Sequence, residues 1–169
     1  VVTGCLFQPS TTAAPTSQWC RATNITGQIC GNIFGDLTSS AVLSGQLELS
    51  NNKFAGTAGP TIQGGSVSGD GNEFSTGTGW LFSPTYGLSF DVGPDLFKSP
   101  VTRSYDIPSD SSDLSGHIRY DRSNDSSVNK FRNTSARVSF RSVDGQAFSV
   151  SSTTYSPSIL DTGRQVIAT

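Results

Sequence analysis

No methionine occurs in this sequence, and it holds only one histidine (His117), two glutamates (Glu48, Glu73) and three lysines (Lys53, Lys98, Lys130). Each scarcity excludes something. Without an initiator the chain reads as a processed or excised piece. The three lysines are far apart and the net charge is −2, whereas binding to nucleic acid needs clustered cations that displace counterions. No apolar run approaches the roughly 20 residues that span a bilayer, so no transmembrane segment is expected. No CxxC and no Cys/His cluster is present, which argues against zinc. Neither a metal nor an organic cofactor is expected.

Cysteine is also sparse, and all three (Cys5, Cys20, Cys30) lie in the first 30 residues. An odd count leaves one thiol unpaired. Cys20 and Cys30 are close enough in sequence to close a short loop, so the expected disulfide is Cys20–Cys30, pinning a hairpin at Thr26-Gly27. That bridge argues for an oxidising setting: extracellular, at a cell surface or on a virion surface. Val2-Thr3-Gly4-Cys5 also reads as the end of a lipoprotein signal, with Cys5 as lipid carrier. Asn24, Asn124 and Asn133 open N-glycosylation patterns.

What the sequence has in abundance is glycine (18), serine, threonine and short alternating runs. Period-two patterns recur at 42–49, 61–69, 73–82, 88–92, 114–121, 135–143 and 146–155, separated by Ser50-Asn51-Asn52, Asp70-Gly71-Asn72, Pro84-Thr85-Tyr86-Gly87 and Asp144-Gly145. Asn and Asp-Gly tolerate the positive φ of tight hairpins. The expectation is therefore an all-β fold: an antiparallel meander of about eight strands closed as a β-barrel or a two-sheet β-sandwich. One domain spans 1–169, with 1–40 a less regular N-terminal arm packed on the core. No internal repeat is expected, and the polar stretch 93–113 reads as an excursion over the surface. The core candidates are Leu43, Leu47, Leu49, Phe54, Ile62, Phe74, Trp80, Phe82, Phe90, Ile118, Tyr120, Val138, Phe140, Phe148 and Val150.

Several phrases mimic chemistry. Asp161-Thr162-Gly163 spells an aspartic-protease loop, but such an enzyme needs two carboxylates sharing a proton. Only six residues follow Gly163, too few for the rest of a dimeric protease, and Asp-Thr-Gly is an ordinary turn. His117 is the one residue able to serve as base to a serine. No G-x-S-x-G elbow accompanies it, and its neighbour Ile118 places it on the solvent side of a strand. Asp106, Asp110, Asp113, Asp121 and Asp125 fall in loops, with spacing unlike a calcium-binding loop.

The most informative stretch is "GTGWLFSPTYGLSF", 77–90. Trp80 and Tyr86, set among small residues, are candidates for a stacking platform on which a sugar or a partner docks; core packing is the competing role for Trp80. Arg119, with Tyr105 near it and Arg137 and Arg141 on neighbouring strands, is a candidate for recognising a carboxylate or an acidic sugar. The candidate binding residues are thus Trp80, Tyr86, Tyr105 and Arg119. With no surviving catalytic constellation, the expected function is non-enzymatic: a secreted or surface-displayed domain recognising a glycan or protein partner. The alternatives are a structural subunit, such as a viral capsid protrusion or an extracellular filament subunit, and more remotely a hydrolase. A homo-oligomer is left open.

Overall fold

A computed structural model of the chain describes residues 1–7, 21–35, 41–56, 59–75, 77–98, 101–108, 112–124, 126, 131–135 and 137–143, and the backbone of three short strands beyond them. In chain order, β1 (Val2–Thr3) and β2 (Leu6–Phe7) come first, followed by β3 (Arg21–Cys30) and β4 (Ile33–Phe34). The pattern of a long strand followed by a short one repeats in β5 (Val42–Ser50) and β6 (Lys53–Phe54), then in β7 (Thr61–Gly69) and β8 (Glu73–Phe74). A third strand joins each coil with β9 (Gly77–Phe82), β10 (Leu88–Val92), β11 (Leu96–Phe97) and β12 (Val101–Ile107). Then come β13 (Leu114–Tyr120), β14 (Phe131–Asn133), β15 (Val138–Ser142), β16 (Phe148–Val150), β17 (Ile159–Leu160) and β18 (Val166–Ala168).

Every strand pairing among the described residues is parallel. The main sheet runs β1-β3-β5-β7-β10-β13-β15-β17, and a second runs β11-β8-β6-β4-β2. Strands β9, β12 and β14 form a flank joined to the main sheet where Thr61 and Ile62 of β7 pair with Leu81 and Phe82. Parallel neighbours need a crossover between them, and here the crossover is the rest of each coil. The chain is a β-solenoid. This overturns the antiparallel barrel or sandwich: the runs taken for hairpin arms are successive rungs, and the turns between them are corners.

The repeat absent from the sequence reading is present in the molecule. Asn32-Ile33-Phe34, Asn52-Lys53-Phe54 and Asn72-Glu73-Phe74 recur every 20 residues, and Asp95-Leu96-Phe97 continues the series. The phenylalanines stack. Phe7, Phe34, Phe54, Phe74 and Phe97 form one column with successive centroids 4.8, 4.8, 5.0 and 5.0 Å apart. Rings held at the strand spacing bury large apolar area while keeping each neighbour in register.

Beside this column runs a polar ladder. The Asn32 backbone N–H donates to Asn52 Oδ1 at 3.1 Å, that of Asn52 to Asn72 Oδ1 at 3.0 Å, and that of Asn72 to Asp95 Oδ1 at 2.8 Å. Each side-chain amide also donates to a strand-end carbonyl: Asn52 to Ile29 and Asn72 to Leu49. The corner backbone, which would otherwise be buried without partners, is satisfied from inside. Cys5 occupies the first step, its N–H donating to Asn32 Oδ1 at 2.9 Å. At the other end Asp95 accepts from Trp80 Nε1 at 2.8 Å and Tyr105 OH at 3.4 Å. Burial pushes the Asp95 carboxyl up to about 6, against the hydrogen bonds from Trp80 and Asn72 that favour its ionised form.

Glycine is required at the corner where β5 and β7 bend. Gly45 and Gly65 have φ of +127° and +96°, and a Cβ on Gly65 would lie 2.0 Å from the Gly45 carbonyl oxygen. No other residue fits there.

Two further expectations change. The stretch 93–113 is no surface excursion: Asp95, Phe97, Val101, Tyr105 and Ile107 are buried. Thr26 and Gly27 lie inside uninterrupted β3, so there is no hairpin for a disulfide to pin. Among the described residues no disulfide is seen: Cys5 and Cys30 carry free thiols, and Cys20 lies outside the described residues. Within 1–40, the described strands pair as rungs of the solenoid, and 8–20 and 36–40 lie outside the described residues. The core expectation fares better, with Leu43, Leu47, Leu49, Phe54, Ile62, Phe74, Trp80, Phe82, Phe90, Ile118, Tyr120, Val138 and Phe140 all buried. The side chains of Phe148 and Val150, the Asp144-Gly145 turn and Asp161-Thr162-Gly163 lie outside the described residues.

Candidate functional site: the outer face of the main sheet

A strand that alternates inward and outward writes one column of side chains per outward position when coils stack in register. Two such columns cover the main sheet. Thr26, Gln46, Ser66, Ser89 and Ser115 form one, set by the pairings of β3, β5, β7, β10 and β13. Gln28, Glu48, Ser68, Asp91, His117 and Ser139 form the other. All are polar or charged side chains, spaced one strand, about 4.8 Å, apart.

Over the first coils these columns border an open trough of about 340 Å³, lined by Thr26, Gln28, Gln46, Glu48, Ser66 and Ser68 among others. Its polar groups are held in place. Gln28 Nε2 donates to Glu48 Oε2 at 2.7 Å, and Ser50 Oγ donates to Glu48 Oε1 at 3.3 Å. A second hollow of about 330 Å³ lies among Phe7, Ala22, Ile25, Ile29, Leu43 and Leu47, and is apolar.

The face changes character further along. Arg119 Nε meets Asp91 Oδ1 at 3.2 Å, and its Nη1 lies 3.9 Å from Asp70 Oδ2. His117 Nδ1 lies 2.5 Å from Ser139 Oγ. Arg141 is the register partner of Arg119 and is exposed. Asp91, His117 and Ser139 are direct partners on three consecutive rungs.

The four candidate binding residues separate into two pairs. Trp80 and Tyr105 are fully buried, and both donate to Asp95, so they belong to the interior. Arg119 is on the outer face. Tyr86 is 45% exposed in the 83–87 loop between β9 and β10, its ring lying on Gly64 and its OH donating to Asn24 Oδ1 at 3.4 Å. A Cβ on Gly64 would come 2.3 Å from that ring, so the glycine makes the seat. Of the glycosylation patterns, Asn133 is buried, with its amide donating to Ser135 O, and cannot accept a sugar in this fold.

Among the described residues no group of three potential ligands could hold a metal ion, and no helix is long and apolar enough to cross a membrane. Sequence reasoning missed Glu48, Ser68, Asp91 and Ser139, because their grouping depends on parallel register rather than on spacing. No known family model, curated protein sequence or solved structure matches the chain.

Proposed function

We propose that this domain recognises an extended glycan laid along the outer face of the main sheet. The observation that carries this reading is the trough, whose hydroxyl, amide and carboxylate groups repeat at the strand spacing. A polysaccharide presents hydroxyls at a regular interval along its length, so a periodic polar surface can bond successive sugar units. Ordered side chains lose little entropy on binding, as the Gln28–Glu48 bond illustrates. Tyr86 offers an exposed aromatic ring at the corner of the same sheet, suited to stacking on a sugar face. A near-neutral chain with three separated lysines lacks what a polyanionic nucleic acid would need.

The test is a glycan array with the purified chain, followed by titration of any hit against Glu48→Ala and Ser68→Trp. Ser68→Trp fills the trough without touching the core, and each change is expected to weaken binding at least tenfold. An array with no hits, or affinities unchanged in both variants, overturns the reading.

A further inference from the structure

Beyond the trough, the geometry points to a nucleophilic centre at Ser139, with His117 as its base, acting on O-acyl esters. The inference goes beyond glycan recognition and does not need it. Three observations meet at this spot. Ser139 Oγ and His117 Nδ1 are in hydrogen-bond contact, so the hydroxyl donates to the ring when Nδ1 is unprotonated. Asp91 is the register partner of His117 on the rung opposite Ser139; its carboxylate is held by Arg119 Nε at 3.2 Å, so a negative charge stands one rung from the ring on which an imidazolium would form. Arg141 follows Ser139 by two residues on the same strand face, and its register partner Arg119 lies beside it. Main-sheet backbone amides are committed to the ladder and the Arg119 guanidinium is paired with Asp91 and Asp70, so Arg141 would take the charge that backbone N–H groups hold in other acyl-transfer sites.

The order Asp–His–Ser is made by stacking, not by sequence proximity. The three residues lie 26 and 22 positions apart, yet occupy adjacent rungs. His117 is the only histidine in the chain and is exposed, so it supports no core contact that would explain its place.

The reaction balances with water alone. Ser139 Oγ attacks the acyl carbonyl carbon while its proton passes to His117. Collapse of the tetrahedral species breaks the bond to the alcohol oxygen, which leaves with the proton from His117. Water, deprotonated by the same ring, then attacks the acyl-serine; the carboxylic acid departs and the serine hydroxyl is restored. The substrate class is a small acyl ester on an exposed hydroxyl, because an open sheet face provides no enclosed acyl pocket. An acylated polyol seated along the same column would present such esters.

The test uses a fluorophosphonate probe and 4-nitrophenyl acetate with the whole chain, with labelled peptides located by mass spectrometry. A single label on Ser139 is expected, lost in Ser139→Ala, and ester turnover should fall about 100-fold or more in His117→Ala, the scale of general-base catalysis. Both positions lie on the outer face, so circular dichroism and thermal melts of these variants should match the parent. An unlabelled parent chain, a label that persists in Ser139→Ala, or turnover unchanged in His117→Ala would overturn the assignment. Repeating the glycan array with Ser139→Ala separates the two readings: retained binding with lost labelling supports both, and labelling without any glycan hit leaves the nucleophile standing while recognition falls.

Discussion

The coils from Arg21 to Phe82 and those from Leu88 to Val143 are built on one plan but obey it differently. In the first group the paired corner residues Gly45 and Gly65 are 20 residues apart, and an asparagine ladder lines the inner corner. In the second, the partners Leu88 and Leu114 are 26 apart, and the ladder has ended at Asp95. Counting on from the paired Val92 and Ile118, Asp121 stands where Asp95 stood one coil earlier. Its carboxylate turns to Ser123 and Asn124 in a local 3-10 turn instead. The two Asn-to-Asn steps of the ladder, 32 to 52 and 52 to 72, hold coils of one length, 20 residues, while its end steps, Cys5 to Asn32 and Asn72 to Asp95, span 27 and 23. Once a corner satisfies itself locally, loops of varying length are tolerated, and the charged and nucleophilic side chains of the outer face collect on that side.

Removing the ladder should expose this difference most strongly. Asn72→Ala leaves the Asn52 N–H and the Leu49 carbonyl without their buried partners, and should cost on the order of 4 kcal/mol. Asp121→Ala, its counterpart in the irregular half, should cost about 1 kcal/mol. Urea denaturation of both variants measures the contrast, and equal losses would break the comparison. Gly65→Ala should cost roughly 3 kcal/mol, combining a strained positive φ with a Cβ driven against the Gly45 carbonyl. Gly87→Ala, with open space around it and no positive φ, should be near neutral.

The ladder's end makes stability depend on pH. The folded-state value of Asp95 is raised, so its contribution is full below the ordinary carboxylate value of 3.8 and is lost as pH rises through about 6. The loss across that window is roughly 3 kcal/mol. Glu73 runs the other way: the Lys98 ammonium holds it below 4.5, so its smaller contribution is lost as pH falls. Urea midpoints taken from pH 4 to 7 should decline in the parent chain and flatten in Asp95→Asn. A small effect is expected at Arg119. Its pairs with Asp91 and Asp70 are exposed, so Arg119→Ala should change stability by under about 1 kcal/mol, and a thermal melt suffices to check it.

Which residues are buried was legible because alternation is independent of how strands pair. Leu47, Phe54, Phe90 and Ile118 point inward in a solenoid as they would in a barrel. Pairing direction was not legible, since Asp70-Gly71-Asn72 marks a change of direction at a hairpin and at a coil corner alike. The discriminating signal was Asn-x-Phe at 32, 52 and 72, whose interval of 20 is too long for a hairpin and suits a stacked repeat. For the outer face, His117 and Arg119 were correctly read as pointing away from Ile118. Their partners Asp91 and Ser139 become visible only once register is known, because no local rule links residues more than twenty positions apart.

The equal spacing of Gly45 and Gly65 has a consequence for how such a molecule can change length. Excising 45–64 would join Ser44 to Gly65, bringing one corner onto its equivalent and leaving the Asn and Phe series unbroken. Copying or removing a whole winding there would add or subtract one unit of length without requiring a new core. In the windings after Leu88 an excision of 20 residues would end out of phase, because register partners there are 26 apart between β10 and β13 and 22 apart between β13 and β15.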